Sequence, residues 1–217
     1  MRDEFERQLA LLNEELTTMG GLIESAIANA VKALDGDEHS INKAYDYEKS
    51  IDNKEREIES LSLKLLLTQQ PVASDLRLIS AALKMITDIE RVGDQSADIA
   101  DLNIQLIKKK QKWDLSDISE MARAATQMVN DAIDAYVNDD ENLARKVISS
   151  DDKIDELFVK TKDKIIDEIA ADKANGEKAI DTLMVAKYFE RIGDHAVNIA
   201  EWVVFSVTGV HKTERIM

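Results

Sequence analysis

An internal repeat restricts this chain to folds that consist of two similar halves. Residues 90–101 read ERVGDQSADIAD and residues 190–201 read ERIGDHAVNIAE, with six of the twelve positions identical. The two copies lie 100 residues apart in a chain of 217 residues. We therefore predict two related halves, each with one copy of this segment near its carboxyl end.

Residues that break helices are scarce, which favours long helices in both halves. The chain has one proline and seven glycines, whereas charged residues make up 33% of it. Turn signals occur at residues 35–37, 138–140 and 175–176. They predict six helices. The first three cover residues 5–33, 40–69 and 71–110. The fourth runs from a cap at Asp114 or Ser116 to residue 137, the fifth ends near residue 171 and the sixth ends near residue 207. Short turns between them predict an all-α fold of two tandem, pseudo-symmetric, antiparallel three-helix bundles, over residues 1–110 and 115–217, with a linker near Lys112.

Acidic residues in the repeated segment fall on one face of each helix, within an arc of about 80°. The positions are Glu90, Asp94, Asp98 and Asp101 in the first copy and Glu190, Asp194 and Glu201 in the second, where Asn198 replaces the third acid. Small and apolar residues share this side, so the acids border a face that packs on other helices. Gly93 and Gly193 each cost about 1 kcal/mol inside a helix, which indicates close backbone packing beside the acids.

A second acidic pair precedes each copy. Glu48 and Asp52 are four residues apart, and so are Asp151 and Asp155, which places each pair on one helix face. If successive helices are antiparallel neighbours, four carboxylates converge in each half, and a bound cation would relieve their repulsion. Oxygen ligands suit magnesium, manganese, calcium or iron better than copper or zinc. The candidate metal ligands are Glu48, Asp52, Glu90, Asp94, Asp98, Asp151, Asp155, Glu190 and Asp194.

These motifs together resemble the PhoU family, the cytoplasmic accessory regulators of bacterial phosphate uptake. The resemblance rests on the ERxGDxxxxIA repeat and on the PVASDLR segment that starts at Pro71, and it covers nearly the whole chain. It implies paired three-helix bundles and metal clusters bound through (Asp/Glu)-x-x-x-Asp pairs. The second half departs from this pattern because it has no PVASDLR segment, and Asn198 replaces Asp98.

The resemblance also implies a function and a set of partners. We expect a non-enzymatic homodimer in the cytoplasm that restrains uptake by the phosphate ABC transporter and, through a sensor histidine kinase where one is present, phosphate-starvation signalling. The cofactors would be divalent or trivalent ions of iron, manganese or magnesium, in multinuclear clusters. Two other function classes stay open at this point: a carboxylate-bridged metalloenzyme such as a metal-dependent phosphatase, and a helical adaptor whose acids are ordinary solvated surface.

Other features exclude functions or have a structural explanation. A formal net charge of −15 argues against nucleic-acid binding, and no apolar run reaches the roughly 18 residues needed for membrane insertion. His195 lies about 140° around its helix from Glu190, so we expect a structural role for it. Arg91 and Arg191 are expected to pair with the aspartates three residues later or to orient ligand carboxylates. The basic run at residues 108–112 is explained by the dipole at a helix end.

Overall fold

The computed structural model describes residues 2–68, 71–109, 116–212 and 214–215. Helices account for most of these residues, which confirms the predicted all-α class. The helices are α1 (Arg2–Leu34), α2 (Glu38–Thr68), α3 (Ala73–Lys109), α4 (Ser116–Val137), α5 (Glu141–Ala171) and α6 (Gly176–Thr208). A 3₁₀ turn at Lys173–Asn175 precedes α6, and a small antiparallel pair of strands, β1 (Val210–His211) and β2 (Glu214–Arg215), follows it.

Turn residues end the first helix of each half and start the second. Gly36 takes φ +92°, a left-handed conformation that costs glycine little, and α1 ends there. The carboxylate of Asp37 then accepts from the backbone N–H of His39 at 3.1 Å and from the Ser40 hydroxyl at 2.6 Å. In the second half Asp140 accepts from the backbone N–H of Leu143 at 3.0 Å and caps α5.

Three details differ from the sequence prediction or lie beyond it. The third helix begins at Ala73 instead of Pro71, because the Asp75 carboxylate accepts from the Val72 N–H at 3.3 Å and caps the helix there. The strand pair after α6 was not predicted. The linker near Lys112, the Asp114 cap and the side chains of the basic run at 108–112 lie outside the described part of the chain.

The two repeats share one hydrophobic core. Helix α2 packs against α1 and α3, α5 packs against α4 and α6, and the repeats meet where α3 contacts α6 and α1 contacts α4. The same buried cluster includes Leu16 of the first repeat and Phe189 and Phe205 of the second, so α6 is a core helix. None of the helices in the described ranges has a stretch apolar enough, over the length of a bilayer, to span a membrane.

Helices α3 and α6 run antiparallel along this contact, which we call the α3–α6 seam. Near the start of α3, the Arg77 guanidinium donates to the backbone carbonyl of Ser206, near the end of α6, at 3.4 Å. Further along α3, Asp88 contacts His195, which is nearer the start of α6. Because the helices are antiparallel, the repeated acidic segments meet only near their amino-terminal ends, and each then runs beside the part of the other helix that precedes its segment.

Two glycines allow close helix approach beside the acids, as the sequence predicted. A Cβ added at Gly93 would lie 3.1 Å from the Cδ1 atom of Ile51 on α2. A Cβ added at Gly193 would lie 2.9 Å from the Cδ1 atom of Ile154 on α5 and 3.3 Å from an oxygen of Asp151. Helices α2 and α5 thus pack directly against the backbone of the two ERxGD segments.

Candidate metal centre

Three carboxylates of the first repeat meet between α2 and α3. One oxygen each from Glu48, Asp52 and Asp94 lie within 4.8 Å of one another, and all three side chains are half-buried. The i, i+4 spacing on α2 aligns Glu48 with Asp52, and the tight contact at Gly93 brings Asp94 to them. Burial raises the pKa of Glu48, and the charges of Asp52 and Asp94 raise it further. We call this group the first cluster.

Two more acids adjoin the first cluster, and one of them was missed from the sequence. Burial raises the pKa of Glu90, and the neighbouring charges of Asp94, Glu55 and Asp52 add to the effect. Burial likewise raises the pKa of Glu55, and the charge of Asp52 is the next largest cause. Glu55 continues the α2 stripe at i+7 from Glu48, a spacing that would have identified it.

Four carboxylates of the second repeat face one another between α5 and α6, and we call them the second cluster. Burial and the charges of Asp155, Asp194 and Glu190 raise the pKa of Asp151 to about 6. Burial and then Glu190 raise the pKa of Asp194. Their oxygens are more widely spread than those of the first cluster, since the only three-oxygen group within 4.8 Å among the described residues is the first.

Cationic side chains touch both clusters, but they come from different positions. Arg91 donates to Asp94 at 2.7 Å and its Nε lies 3.4 Å from Glu90, which confirms the predicted i, i+3 pair in the first repeat. In the second repeat the Lys187 ammonium lies 2.5 Å from Glu190. Each cluster therefore retains an excess of negative charge.

Asp98 lies outside the three-oxygen group and is directed to the other repeat. The Tyr188 hydroxyl of α6 donates to its carboxylate, and the charge of Arg191 favours the ionised form. Burial and the charge of Asp94 still raise the pKa of Asp98. The reciprocal contact joins Asp88 of α3 to His195 at 2.8 Å and to the Asn198 amide at 3.2 Å. His195 thus has the structural partner that its position on the helix implied.

The chemistry of these residues fits hard or borderline cations. Every candidate ligand is a carboxylate, and one Asp151 oxygen is buried without a hydrogen-bond partner among the described residues. A Cβ added at Gly193 would lie 3.3 Å from an oxygen of Asp151, so the lack of a side chain there lets α6 approach that carboxylate closely. A cation bound by Glu48, Asp52 and Asp94, or by the second cluster, would offset the charge repulsion that adds to burial in raising the pKa values of Glu48 and Asp151.

Comparison with known proteins places this architecture in a family. A family model described as the PhoU domain matches the chain twice, at residues 16–102 and 118–203. The chain belongs to the PhoU family. A phosphate-specific transport system accessory protein PhoU homolog of Clostridium acetobutylicum is 34% identical over 96% of this chain and 96% of its own length. The PhoU homolog 1 of Thermotoga maritima is 32% identical over 97% of this chain and 91% of its own length.

Solved PhoU structures have the same fold. The crystal structure of PhoU from Pseudomonas aeruginosa superposes with a TM-score of 0.88 and 30% identity, covering 95% of this chain and all of that one (100%). The phosphate transport system regulatory protein PhoU from Streptococcus pneumoniae gives a TM-score of 0.87 at 25% identity, over 97% of this chain and 100% of that one. The Clostridium and Thermotoga relatives are named as accessory proteins and the Streptococcus protein as a regulatory protein, which agrees with the prediction of a non-enzymatic protein.

Proposed function

We propose that this PhoU-family protein is a cytoplasmic regulator that restrains uptake by the phosphate ABC transporter when phosphate is plentiful. Where a phosphate-sensing histidine kinase is present, it also reduces phosphate-starvation signalling. The observation that carries the proposal is the PhoU domain itself, which occurs twice and covers most of the chain. The relatives matched over nearly their full length are named as accessory proteins of phosphate-specific transport.

The same proposal includes cation binding in both repeats. Glu48, Asp52, Glu90, Asp94 and Asp98 are the candidate residues of the first repeat. In the second repeat the candidates are Asp151, Asp155, Glu190 and Asp194. Oxygen donors and net negative charge favour iron, manganese or magnesium, and the number of acids suits clusters of more than one ion. A bound cation would brace α2 against α3 and α5 against α6, or would accept phosphate as an additional ligand.

Long helices provide the surfaces through which such a regulator would act. The helices of the first repeat span up to 37 residues and expose extended faces for partner proteins. We propose that these faces contact components of the transporter and join two copies of the protein in a homodimer. Size-exclusion chromatography with light scattering at micromolar concentration measures the oligomeric state directly, and the mass of a monomer would contradict the homodimer.

Phosphate uptake in a deletion strain tests the regulatory proposal. Without the protein, uptake of radiolabelled phosphate and expression of starvation genes should stay high in phosphate-rich medium. Restoring the wild-type gene should lower both. Normal repression in the deletion strain would contradict the proposal. Restoring a variant with Asp52→Asn, Asp94→Asn, Asp155→Asn and Asp194→Asn then separates regulation that needs the clusters from regulation that does not.

Metal analysis tests the cation sites independently of signalling. The purified protein should bind Mn²⁺ in both repeats. Glu190→Gln with Asp194→Asn should remove the ions of the second repeat only, and Asp52→Asn with Asp94→Asn those of the first. The matched control is Asp152→Asn, an exposed neighbour of Asp151 on the same helix. Equal metal content in the wild type and in both double variants would refute these assignments.

A further inference from the structure

A small polar cavity lies where the starts of α4 and α6 meet the later part of α5. Its volume is about 20 Å³, which suits one particle of about the size of a water molecule and excludes a larger anion such as phosphate. The polar residues of its lining are Asp117 of α4, Thr161, Lys164 and Glu168 of α5, and Lys178 and Thr182 of α6. The cavity therefore joins three helices of the second repeat, further along α5 than the second cluster.

Thr161 contributes a buried hydroxyl to this lining. The residue is 3% exposed, and its Oγ1 atom has no hydrogen-bond partner within the described ranges. Other helical threonines donate to the carbonyl four residues earlier, as Thr126 does at 2.8 Å and Thr182 at 2.9 Å. Thr161 makes no such bond, so its hydroxyl remains available to a species inside the cavity. A buried hydroxyl without a partner is destabilising, which indicates that the cavity is occupied.

Ammonium groups outnumber carboxylates around the cavity. Asp117 is 7% exposed, and its two oxygens accept from Lys160 at 2.8 Å and from Lys164 at 2.9 Å. Lys178 is half-buried, and it forms no ion pair with any residue that the structure describes. With Glu168 as the second carboxylate, three ammonium groups and two carboxylates give this site a net charge of +1.

The start of α4 adds to this positive potential. The first N–H groups of a helix have no partner inside the helix, and they carry the positive end of its dipole. Asp117 and Ile118, which belong to the first turn of α4, line the cavity. A buried hydroxyl, a half-buried ammonium group and a helix start together suit an anion. A metal cation would instead face the ammonium groups at close range.

We propose that this cavity binds one monoatomic anion of the size of chloride, through the Thr161 hydroxyl and the Lys178 ammonium group. The anion links α5 to α6 beside the first turn of α4 and supplies the partner that the Thr161 hydroxyl lacks. Because the site shares no residue with the two acidic clusters, the inference is independent of the proposed cation sites and of the proposed regulatory role.

Bromide tests the site directly, because it replaces chloride and is located by its anomalous X-ray scattering. Crystals of the full chain, grown with bromide at physiological halide concentration, should show an anomalous peak within hydrogen-bond distance of Thr161 Oγ1. Thr161→Val keeps the shape of the side chain and should abolish the peak. The matched control is Thr126→Val, which removes a hydroxyl that is bonded within α4 and should keep the peak.

Two results of the bromide experiment would overturn the inference. Absence of an anomalous peak in the wild-type protein would show that the cavity holds water only. A peak that persists in Thr161→Val, or that requires molar bromide, would show an adventitious ion only.

Thermal unfolding in chloride and in gluconate, at constant ionic strength, tests the same site in solution. The wild-type midpoint should be about 1–3 °C higher in chloride, since the anion binds only the folded protein. Thr161→Val and Lys178→Gln should lose this difference, whereas Thr126→Val should retain it. In gluconate Thr161→Val should be at least as stable as the wild type, because it removes a buried hydroxyl that has no partner. An equal loss of stability by Thr161→Val in both salts would show that water satisfies the hydroxyl, and would refute the anion site.

Discussion

Replacing Gly193 by alanine tests whether the close approach of α5 to α6 holds the second cluster together. In an open helix interior, glycine to alanine is favourable by about 1 kcal/mol. Here the new Cβ would lie 2.9 Å from the end of Ile154, which is fully buried, and 3.3 Å from an Asp151 oxygen. Relief requires Ile154 or α5 to move, and such overpacking costs about 1–3 kcal/mol. We expect a net destabilisation of about 1 kcal/mol.

Gly21 in α1 supplies the control for this substitution. An added Cβ there meets nothing within 4 Å, and the residue is exposed. Gly21→Ala should therefore stabilise the protein by about 0.5–1 kcal/mol. Urea denaturation at neutral pH with a chelator present measures both free energies of unfolding, which should differ by roughly 2 kcal/mol. Equal stabilisation by the two substitutions would show that Gly193 is not at a tight helix contact.

Three further substitutions test the electrostatics. Because the folded-state pKa of Asp151 is raised to about 6, its ionisation destabilises the chelated protein above that pH. After allowance for solvent screening, the Asp151→Asn variant should be more stable than the wild type by about 1–2 kcal/mol at pH 8. This difference should vanish below pH ~4. A constant difference across this pH range in denaturation experiments would refute the prediction. Two lysines of α5 lower the pKa of Asp117, so its contribution is present near neutral pH and is lost as pH falls through the folded-state pKa. Asp117→Asn should lower the free energy of unfolding by about 1–2 kcal/mol at pH 7 and less at pH 3, and an equal loss at both pH values would contradict this. Arg77→Gln removes a cation from the end of α6 and should lower the thermal midpoint by a few degrees, corresponding to about 0.5–1 kcal/mol, whereas an unchanged midpoint would show that the contact contributes nothing.

Helix periodicity and turn chemistry were sufficient to predict most of the fold. The signals at residues 35–37 and 138–140 act through side-chain caps, which depend on local sequence alone, so their positions were correct. The start of α3 was placed two residues early because Pro71 suits a first helical turn, yet the cap that decides the start is formed by Asp75. Strands of two residues, as in β1 and β2, are too short to show any periodicity.

The sequence predicted only those features of the candidate site that depend on a single helix. Spacing along α3 places Glu90, Asp94 and Asp98 on one face, but it does not say which neighbouring helix each side chain meets. Asp98 lies about 40° around the helix from Asp94, which is enough for Asp94 to face α2 while Asp98 faces α6. The substitution of Asp98 by Asn198 in the second repeat was the one sequence signal that these positions differ.

The contacts across the α3–α6 seam involve the same two positions in each repeat. Asp98 contacts Tyr188, and Asn198 contacts Asp88, so each partner has its counterpart 100 residues away. An exact duplication would give both clusters the same charged surroundings. Because the residue types at these positions diverge while the shared core keeps the helices in register, a charge in one repeat acts on the other. The two halves therefore differ in the charged groups near their acidic clusters, and part of that difference arises at the seam between them.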